Sequence, residues 1–536
     1  MRLANFYRYL WCVVVALIAV SGVSQANTPF SSAIEQLTSR SFSDKAKAID
    51  QLAEVDAPAV LPVFDAMLNG KLFYIKQTKQ IVFVEKTEAG YRTVDVLTGK
   101  QGGVFEKRQL KKITVNNSLR RKLRGEIAEL KISSPDDAIR MAALREIIKT
   151  INPDSVAIIK RILEKEQNSK IIELAQEGLA LWQLEKGDKQ VKLQAITILS
   201  ESLLPKAKAQ LESVVETTDD QEIKKAALSA LKKIEEKIEF YAFLENLIFG
   251  LSLGSILLLI AIGLSITFGV MGVINMAHGE LMMLGAYTTF VVQQMMPNAI
   301  NASIFVAIPL AFLVAGMVGI LIERFVIRFL YGRTLETLLA TFGVSLILQQ
   351  LVRSIFGPTN QAVETPSFMS GSLEINSIFA ITYNRLYIFL FSMLVFALLL
   401  FILKRTRLGL YVRAVAQNRA MAKAMGVRSE WVDALTFGLG SGIAGVAGVA
   451  LSQLTNVGPN LGQGYIIDSF MVVVFGGVGN LWGTVVASLS LGVFNKFLEP
   501  WSGAVLAKIL VLVLIILFIQ KRPRGLFPQK GRAAEH

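Results

Sequence analysis

Three polar side chains stand out because they interrupt a strongly apolar part of the chain. Asn275, His278 and Glu280 lie within the glycine-containing stretch 269–287. An amide, an imidazole and a carboxylate can form hydrogen bonds or exchange protons, and such groups are costly in lipid unless they face protein or water. We therefore predict that these three residues line a polar path. The alternative is that they lie at a helix end, in the polar interface of a membrane.

The chain offers few residues for other chemistry. Its single Cys is Cys12 and its only two His are His278 and His536, so a thiolate or imidazole metal centre is not expected. No Gly-x-x-x-x-Gly-Lys-Ser/Thr loop is present, so the chain should not bind ATP phosphates itself. We predict no catalytic residue, no metal and no cofactor.

Long uncharged stretches predict that the second half of the chain lies in lipid. Residues 246–277 and 434–467 contain no Asp, Glu, Lys or Arg, and one span of the bilayer needs about 20 apolar residues. We predict about nine spans, of which the short segment 466–478 could be a broken or re-entrant helix. The predicted spans are 245–270, 277–296, 303–322, 335–356, 387–403, 431–454, 466–478, 481–498 and 504–520.

The charges between the spans predict which side each loop faces. The net charge of +14 is not gathered on one face, so nucleic acid is not an expected partner. Instead, loop 404–428 carries seven Lys or Arg and no acid, whereas loops 297–302 and 456–465 carry no charge. Basic loops stay on the cytoplasmic side. With an odd number of spans, the C-terminus is then cytoplasmic and residues 27–240 are outside.

The first residues support the same topology. Residues 1–26 are typical of a signal peptide, with Arg2 and Arg8 before a short apolar stretch and small residues near a cleavage point after Ala26. An uncleaved anchor helix is the alternative, and it also places the following residues outside. The predicted domains are a signal peptide, 1–26; a periplasmic domain, 27–240; a transmembrane domain, 241–528; and a cytoplasmic tail, 529–536.

Residues 27–240 have the pattern of a soluble, mainly helical domain. A small β element is predicted near 71–114, where short apolar runs alternate with turn residues. A similar sequence pattern then recurs at 136–144, 167–175 and 220–228. Each copy has a polar cluster followed by an apolar helical stripe. Stacked helix pairs of the HEAT-like kind would bury these stripes, and an ordinary helical bundle is the alternative. The predicted fold class is an all-α polytopic membrane protein preceded by this HEAT-like domain.

Glycine is abundant near the end of the apolar half. Residues 434–484 contain twelve glycines, five of them between Gly438 and Gly448. Small residues let helices approach closely, and glycine breaks also allow discontinuous helices near a substrate path. Both interpretations remain open from the sequence alone.

Four motifs carry a resemblance to a known family. They are Asn-Met-Ala-His-Gly-Glu at 275–280, the basic stretch 405–418 followed by Ala-Met-Gly-Val at 424–427, Gly-Gly-Val-Gly-Asn-Leu-Trp-Gly-Thr at 476–484, and Arg-Pro-Arg-Gly-Leu-Phe at 522–527. Together, in this order, they resemble the branched-chain amino acid-type ABC permeases, over about residues 245–528. A secreted helical extension ahead of this core is similar to the urea-type branch.

The resemblance implies a set of partners. These are a second homologous permease subunit, two cytoplasmic ATPase subunits, a periplasmic substrate-binding protein and the surrounding membrane lipid. The loop 404–428 suits ATPase docking, because it is basic and contains a helical stretch near 417–425 that ends at Gly426. Its charge could instead serve only to fix the topology. The coupling residues implied by the motif are Arg407, Gly409, Arg413, Ala414, Asn418 and Gly426.

The same resemblance implies a transport subunit of the bacterial cytoplasmic membrane, with ATP hydrolysed by its partners. Urea is the first substrate expected, because of the extension. The alternative is an importer of branched-chain amino acids or short amides. A third possibility is an ion-coupled carrier, in which Glu280 and Asp468 would act as proton sites.

Overall fold

The computed structural model describes residues 29–39, 41–55, 58–87 and 90–527. The predicted signal peptide and the predicted tail 529–536 lie outside the described residues. The chain divides into two compact units, one up to Glu235 and one from Glu236.

The first unit combines amphipathic helices with one antiparallel sheet. Three helices precede the sheet: α1 (Pro29–Gln36), α2 (Phe42–Ala53) and α3 (Val60–Leu68). The strands are β1 (Leu72–Ile75), β2 (Ile81–Thr87), β3 (Gly90–Asp95), β4 (Gln101–Phe105) and β5 (Leu110–Lys112). The helices that follow are α4 (Asn117–Ile132), α5 (Asp137–Lys149), α6 (Pro153–Lys165), α7 (Ser169–Lys186), α8 (Lys189–Leu199) and α9 (Pro205–Thr217), and α10 (Gln221–Met271) begins in this unit.

The sheet confirms the β element predicted near 71–114, and its five strands lie within that range. Its strand order is β4-β3-β2-β1-β5. Phe83 of β2 lies opposite Leu72 on one side and Val94 on the other, and all three belong to the apolar core that helices α1 to α4 complete.

Each copy of the recurring sequence pattern lies at the start of a helix. Asp136 accepts a hydrogen bond from Ala138 N, Asn168 from Lys170 N, and Asp220 from Glu222 N. Each side chain thereby satisfies an N–H group at the start of its helix, as N-cap residues do. The polar cluster of the recurring pattern therefore caps a helix in all three copies. The HEAT-like stacking of these helices stays a prediction.

A polar network joins the first two repeats. Arg140 Nε donates to Glu166 Oε2 over 2.8 Å, and Arg140 Nη2 donates to Asp137 Oδ1 over 2.6 Å. Asn168 Nδ2 donates to the other oxygen of Asp137 over 2.6 Å. The start of α5 is thus tied to the loop between α6 and α7.

The second unit is built from long apolar helices. After α10 come α11 (His278–Met295), α12 (Ile300–Phe325), α13 (Thr334–Phe356), α14 (Tyr383–Arg405), α15 (Arg407–Gln417), α16 (Arg419–Ala424), α17 (Ser429–Ser452), α18 (Gln463–Gly476) and α19 (Leu481–Lys521). A short hairpin, β6 (Ser372–Glu374) with β7 (Ala380–Thr382), precedes α14.

The predicted spans all fall on these helices. Among the described residues, six helices are long and apolar enough to cross a membrane, namely α10, α12, α13, α14, α17 and α19. Helix α19 contains two predicted spans, separated at Gly503, whose φ of 77° breaks the helix after Pro500. Helix α18 has only 14 residues, and α11 has polar residues in its first turn, so neither reaches the length and composition of a full span.

Glycine in this unit serves close packing of α17 against its neighbours. A methyl group on Gly285 of α11 would lie 2.0 Å from the Gly445 carbonyl oxygen, and one on Gly448 would lie 2.0 Å from the Met282 carbonyl oxygen. Gly445 also meets the backbone of Ala311 on α12. The glycine-rich stretch therefore lets α11, α12 and α17 pack with their backbones in contact.

Candidate functional site

The predicted polar residues lie at a break between two membrane helices. Helix α10 ends at Met271, and Gly272 has a φ of 68°, a left-handed conformation that favours glycine. Residues 273–277 are then irregular until α11 begins at His278. Polar side chains satisfy part of this backbone, because Asn275 Oδ1 accepts from Ala277 N over 3.0 Å and Thr341 Oγ1 accepts from Met276 N over 3.1 Å.

His278 fixes the depth at which α11 begins. Its Nε2 donates to the Ile260 carbonyl oxygen over 2.9 Å, and Ile260 precedes the end of α10 by 11 residues, from 260 to 271. At 1.5 Å per residue this is about 16 Å along α10, in a hydrocarbon core of about 30 Å. Helix α11 therefore begins beside the apolar interior of α10 and not beside its end.

Glu280 is held by the neighbouring helix α13. Its Oε1 accepts hydrogen bonds from Gln349 Nε2 over 2.7 Å and from Ser345 Oγ over 3.1 Å. Glu280 is only 1% exposed, and Ser345 and Gln349 are each 4% exposed. A buried carboxyl group with two neutral donors can accept further hydrogen bonds or exchange a proton.

The two partners of Glu280 were not predicted, although the sequence carries a signal for them. Polar residues recur every four positions along α13, and all of them are buried: Thr337, Thr341, Ser345 and Gln349. Residues four apart share one face of a helix, so this polar stripe marks the side of α13 that faces the break.

The residue between His278 and Glu280 touches a third helix. A methyl group on Gly279 would lie 2.4 Å from the Gly462 carbonyl oxygen, and one on Gly462 would lie 2.8 Å from Glu280 N. Gly462 is the N-cap of α18. The first turn of α11 is thus surrounded, with His278 against α10, Gly279 against α18 and Glu280 against α13.

Each of the three predicted residues has one buried polar atom without a protein partner among the described residues. These atoms are Asn275 Nδ2, His278 Nδ1 and Glu280 Oε2. Asn275 is 1% exposed and His278 is fully buried. The cluster therefore retains both a donor and acceptors that could bind a small polar solute.

The basic segment consists of two short helices joined at Asn418. Asn418 ends α15, and its side chain caps α16 by accepting from Met421 N over 2.9 Å. The helical stretch predicted near 417–425 is α16, which begins at Arg419 because Asn418 caps it. Gly426 has a φ of 86°, as expected for the residue that ends a helix.

The predicted coupling residues have different environments. Gly409 is buried, and a methyl group on it would meet the Leu403 carbonyl oxygen at 2.1 Å. Arg413 is exposed and donates to that same oxygen. Arg407, Asn418 and Gly426 are exposed, whereas Ala414 is partly buried.

An ion pair ties this segment to the long helix α17. The Arg419 guanidinium pairs with the carboxylate of Asp433 and lies 3.9 Å from the centre of the Tyr331 ring. Nearby, Arg328 pairs with Glu430 over 2.5 Å. Movement of α16 would therefore act directly on the first turns of α17.

Asp468 is paired rather than free. Its carboxylate lies 2.9 Å from Lys508 Nζ, which joins α18 to the second part of α19. The two proton sites expected for an ion-coupled carrier therefore have different partners. Asp468 pairs with a lysine, whereas Glu280 accepts hydrogen bonds from two neutral side chains. In the described part of the chain, no cluster of three or more His, Cys, Asp or Glu could hold a metal ion.

Broken apolar helices around a buried polar cluster, followed by a basic segment, are typical of polytopic membrane permeases. The family model described as "Branched-chain amino acid transport system / permease component" matches residues 246–519. The chain belongs to this family. Its members are membrane subunits of ABC importers, transport components rather than enzymes.

Individual relatives match about half of the chain. The branched-chain amino acid permease BraD of Pseudomonas aeruginosa is 33% identical over 298 residues, which are 54% of this chain and 96% of BraD. The LivH permeases of Salmonella typhimurium and Escherichia coli are 31% and 30% identical over the same shares. No solved structure matches the chain.

Proposed function

We propose that this chain forms half of the translocation path of an ABC importer for branched-chain amino acids or short amides. The observation that carries the proposal is the family match over 246–519, together with relatives whose names assign them to branched-chain amino acid transport. The partners would be a second homologous permease, two cytoplasmic ATPases and a periplasmic substrate-binding protein.

The substrate path would include Asn275, His278 and Glu280. Their burial within the apolar region supports this role, because polar groups there are costly unless they serve protein or solute contacts. Ser345 and Gln349 would complete the path from α13, since both donate to Glu280.

The segment 404–428 would dock the ATPases. Four large apolar side chains are exposed on it, and neighbouring basic residues surround them, which is a composition suited to a protein interface. The pair between Arg419 and Asp433 would transmit the movement to α17. The exposed apolar residues are Leu410, Tyr411, Met421 and Met425.

The topology proposed for the chain has residues 27–240 in the periplasm, after a signal peptide at 1–26, and the C-terminus in the cytoplasm. The basic loop 404–428 and the uncharged loops 297–302 and 456–465 support this orientation.

The periplasmic unit would dock the substrate-binding protein. Deleting 27–240 with no effect on uptake or complex assembly would contradict that role.

Urea is the second candidate substrate. The observation in its favour is the helical unit before residue 246, which lies outside the family match. The amide and hydroxyl groups of Asn275, Ser345 and Gln349 would also suit a small neutral solute.

Uptake by cells with and without this chain tests the two candidates. We expect deletion to abolish high-affinity uptake of radiolabelled leucine, and restored expression of the chain to recover it. A chain with Arg419→Met serves as a coupling-deficient control. Leucine uptake that is unchanged by the deletion, with urea uptake lost, would contradict the first candidate and favour the second.

A further inference from the structure

A charge cluster lies where α12 ends and α17 begins, and it contains two carboxyl groups and one arginine. Glu323 belongs to α12, Asp433 to α17 and Arg419 to the short helix α16 of the basic segment. Glu323 is only 3% exposed and Asp433 only 2% exposed. The arginine pairs with Asp433, so one cation serves a site with two buried acids.

Helix packing places the two carboxyl groups side by side. A methyl group on Gly445 would lie 2.5 Å from the Ala311 carbonyl oxygen, and one on Gly319 would lie 3.5 Å from the Phe437 ring. The first contact joins positions 311 and 445 and the second joins 319 and 437, so α12 and α17 run antiparallel. Four residues further in each direction are positions 323 and 433, and residues four apart share one face of a helix.

Charge interactions link Glu323 to the rest of the cluster. The charges of the other carboxyl group and of the arginine both act on it. Two further arginines act on it as well, but each already has a partner. Arg324 lies 4.5 Å from the centre of the Trp431 ring, and Arg328 pairs with Glu430 over 2.5 Å.

Three buried atoms of the cluster have no hydrogen-bond partner among the described residues. They are Glu323 Oε2, Asp433 Oδ1 and Arg419 Nη1. A guanidinium group carries several N–H donors in a planar fork, and a buried carboxylate without a cation is unfavourable. We propose that Glu323 is a second acceptor for Arg419, and that Arg419 exchanges Asp433 for Glu323 when the ATPases move α16.

The exchange would give α16 two discrete positions. With Asp433 as acceptor, α16 is tied to the first turns of α17, as in this structure. With Glu323 as acceptor, it would be tied to the last turn of α12. A side chain that chooses between two partners is the kind of two-state element that a coupled movement requires.

The first position can act on the candidate path. Helix α17 packs against α11 through Gly448 and Met282, and α11 carries two of the candidate path residues. Glu323 would thus be a positioning residue, which acts on transport through Arg419. The inference rests on the proposed function, because it requires that the ATPases dock on 404–428.

A double-mutant cycle tests the exchange. The complete transporter, with its permease partner, ATPases and binding protein, would be reconstituted in proteoliposomes, and the leucine or urea transported per ATP hydrolysed would be measured. We expect Glu323→Gln and Arg419→Met each to lower this ratio about tenfold, because each removes a charged partner. The combined variant should fall no further, because both residues act through one contact.

Independent roles would make the two losses multiply to about a hundredfold in the combined variant, and this result would overturn the exchange. A Glu323→Gln transporter with the wild-type ratio would also overturn it, because a purely structural role lowers transport and ATP hydrolysis together. The matched control is Glu336→Gln. Glu336 is exposed and pairs with Arg333 over 3.0 Å, outside the cluster, so this variant should keep the wild-type ratio.

Spin-label distances between α16 and α17 provide a second test. Labels would be attached to Ala420→Cys and Leu435→Cys, two exposed positions, in a chain with Cys12→Ser, since Cys12 is the only natural cysteine. In the wild-type transporter we expect the distance to change when a non-hydrolysable ATP analogue is bound. Glu323→Gln should keep the nucleotide-free distance in both conditions, and Asp433→Asn should show the nucleotide-bound distance in both.

Either variant is sufficient if the other does not assemble. The same change of distance in the wild type and in the assembled variants would overturn the exchange, and so would a wild-type distance that does not respond to the analogue.

The wild-type transporter separates the two levels of the account. If it moves neither leucine nor urea when ATP is supplied, the proposed function itself fails. If it moves one of them while the losses multiply in the combined variant and the distances respond as in the wild type, only the inference fails.

Discussion

Gln349 donates a hydrogen bond to Glu280 over 2.7 Å, deep between helices α13 and α11. This contact joins the polar stripe of α13 to the first turn of a helix that begins within the apolar region. It makes α13 part of the candidate path, although no single residue of that helix is conspicuous in the sequence.

Replacing Gln349 by leucine should destabilise the membrane unit. The change leaves the buried Glu280 carboxyl with Ser345 as its remaining side-chain donor, and losing one such interhelical bond costs about 1 kcal/mol. Unfolding in mixed micelles with increasing denaturing detergent would measure the difference. Gln350→Leu is the matched control, because Gln350 is exposed; equal stability of the two variants would contradict the role of this contact.

Replacing Met421 and Met425 by serine should weaken ATPase docking. The two side chains are 60% and 78% exposed. A hot-spot side chain contributes about 2 kcal/mol or more to binding, so we expect the affinity to fall about tenfold or more. Titration of the purified ATPase against the permease in nanodiscs would measure the dissociation constant. The control is Met295→Ser, an exposed methionine at the end of α11. Unchanged affinity of the double variant would argue against docking at this segment.

The Arg140–Glu166 pair should make the first unit sensitive to acid. The hydrogen bond from Arg140 lowers the pKa of Glu166 from 4.5 to about 2. A lowered pKa in the folded state contributes stability above the unfolded pKa, and this contribution is lost as the pH falls from about 4.5 towards 2. We therefore expect Glu166→Gln to reduce the stability of α5 and α6 at pH 7, and to have progressively less effect below pH 4.5.

Hydrogen exchange of the full chain in nanodiscs would measure this effect. Wild type and Glu166→Gln would be compared with each other at each pH, using peptides from α5 and α6. Glu164→Gln is the control, because Glu164 is exposed. A difference between wild type and Glu166→Gln that stays constant from pH 7 to pH 2 would contradict the assigned cause.

A methyl group at Gly285 should disturb the packing of α11 against α17. It would lie 2.0 Å from a backbone oxygen of Gly445, so the helices must separate, and overpacking of this kind costs about 1–3 kcal/mol. Gly343→Ala is the matched control, since a methyl group there meets nothing within 4 Å. Thermal unfolding in detergent would compare them, and equal midpoints would show that the backbones are not in tight contact.

Much of the fold follows from local patterns in the sequence. Uncharged runs of about 20 residues identify membrane helices because lipid excludes unpaired charge, and even the break at Gly503 falls between two predicted spans. Helix caps such as Asp136 and Asn168 are also recognisable from local sequence, because a cap residue bonds to its own helix.

The arrangement of the site could not be predicted in the same way. The hydrogen-bond partners of Glu280 lie 65 and 69 residues away in the sequence. The contact of Gly279 with Gly462 depends on how α11 and α18 are positioned relative to each other. The polar stripe of α13 marks a face of that helix, but no local pattern links this face to Glu280, or Gly279 to Gly462. The sequence identified Asn275, His278 and Glu280 by their polarity, but only the fold shows which helices surround them.

ATP-driven uptake in proteoliposomes tests the central claim most directly. The complete transporter would be reconstituted with its binding protein, and accumulation of radiolabelled leucine and urea would be followed with and without ATP and a proton uncoupler. We predict leucine accumulation that requires ATP and this chain and is unaffected by the uncoupler. Accumulation that proceeds without ATP and is abolished by the uncoupler would contradict the account and indicate an ion-coupled carrier.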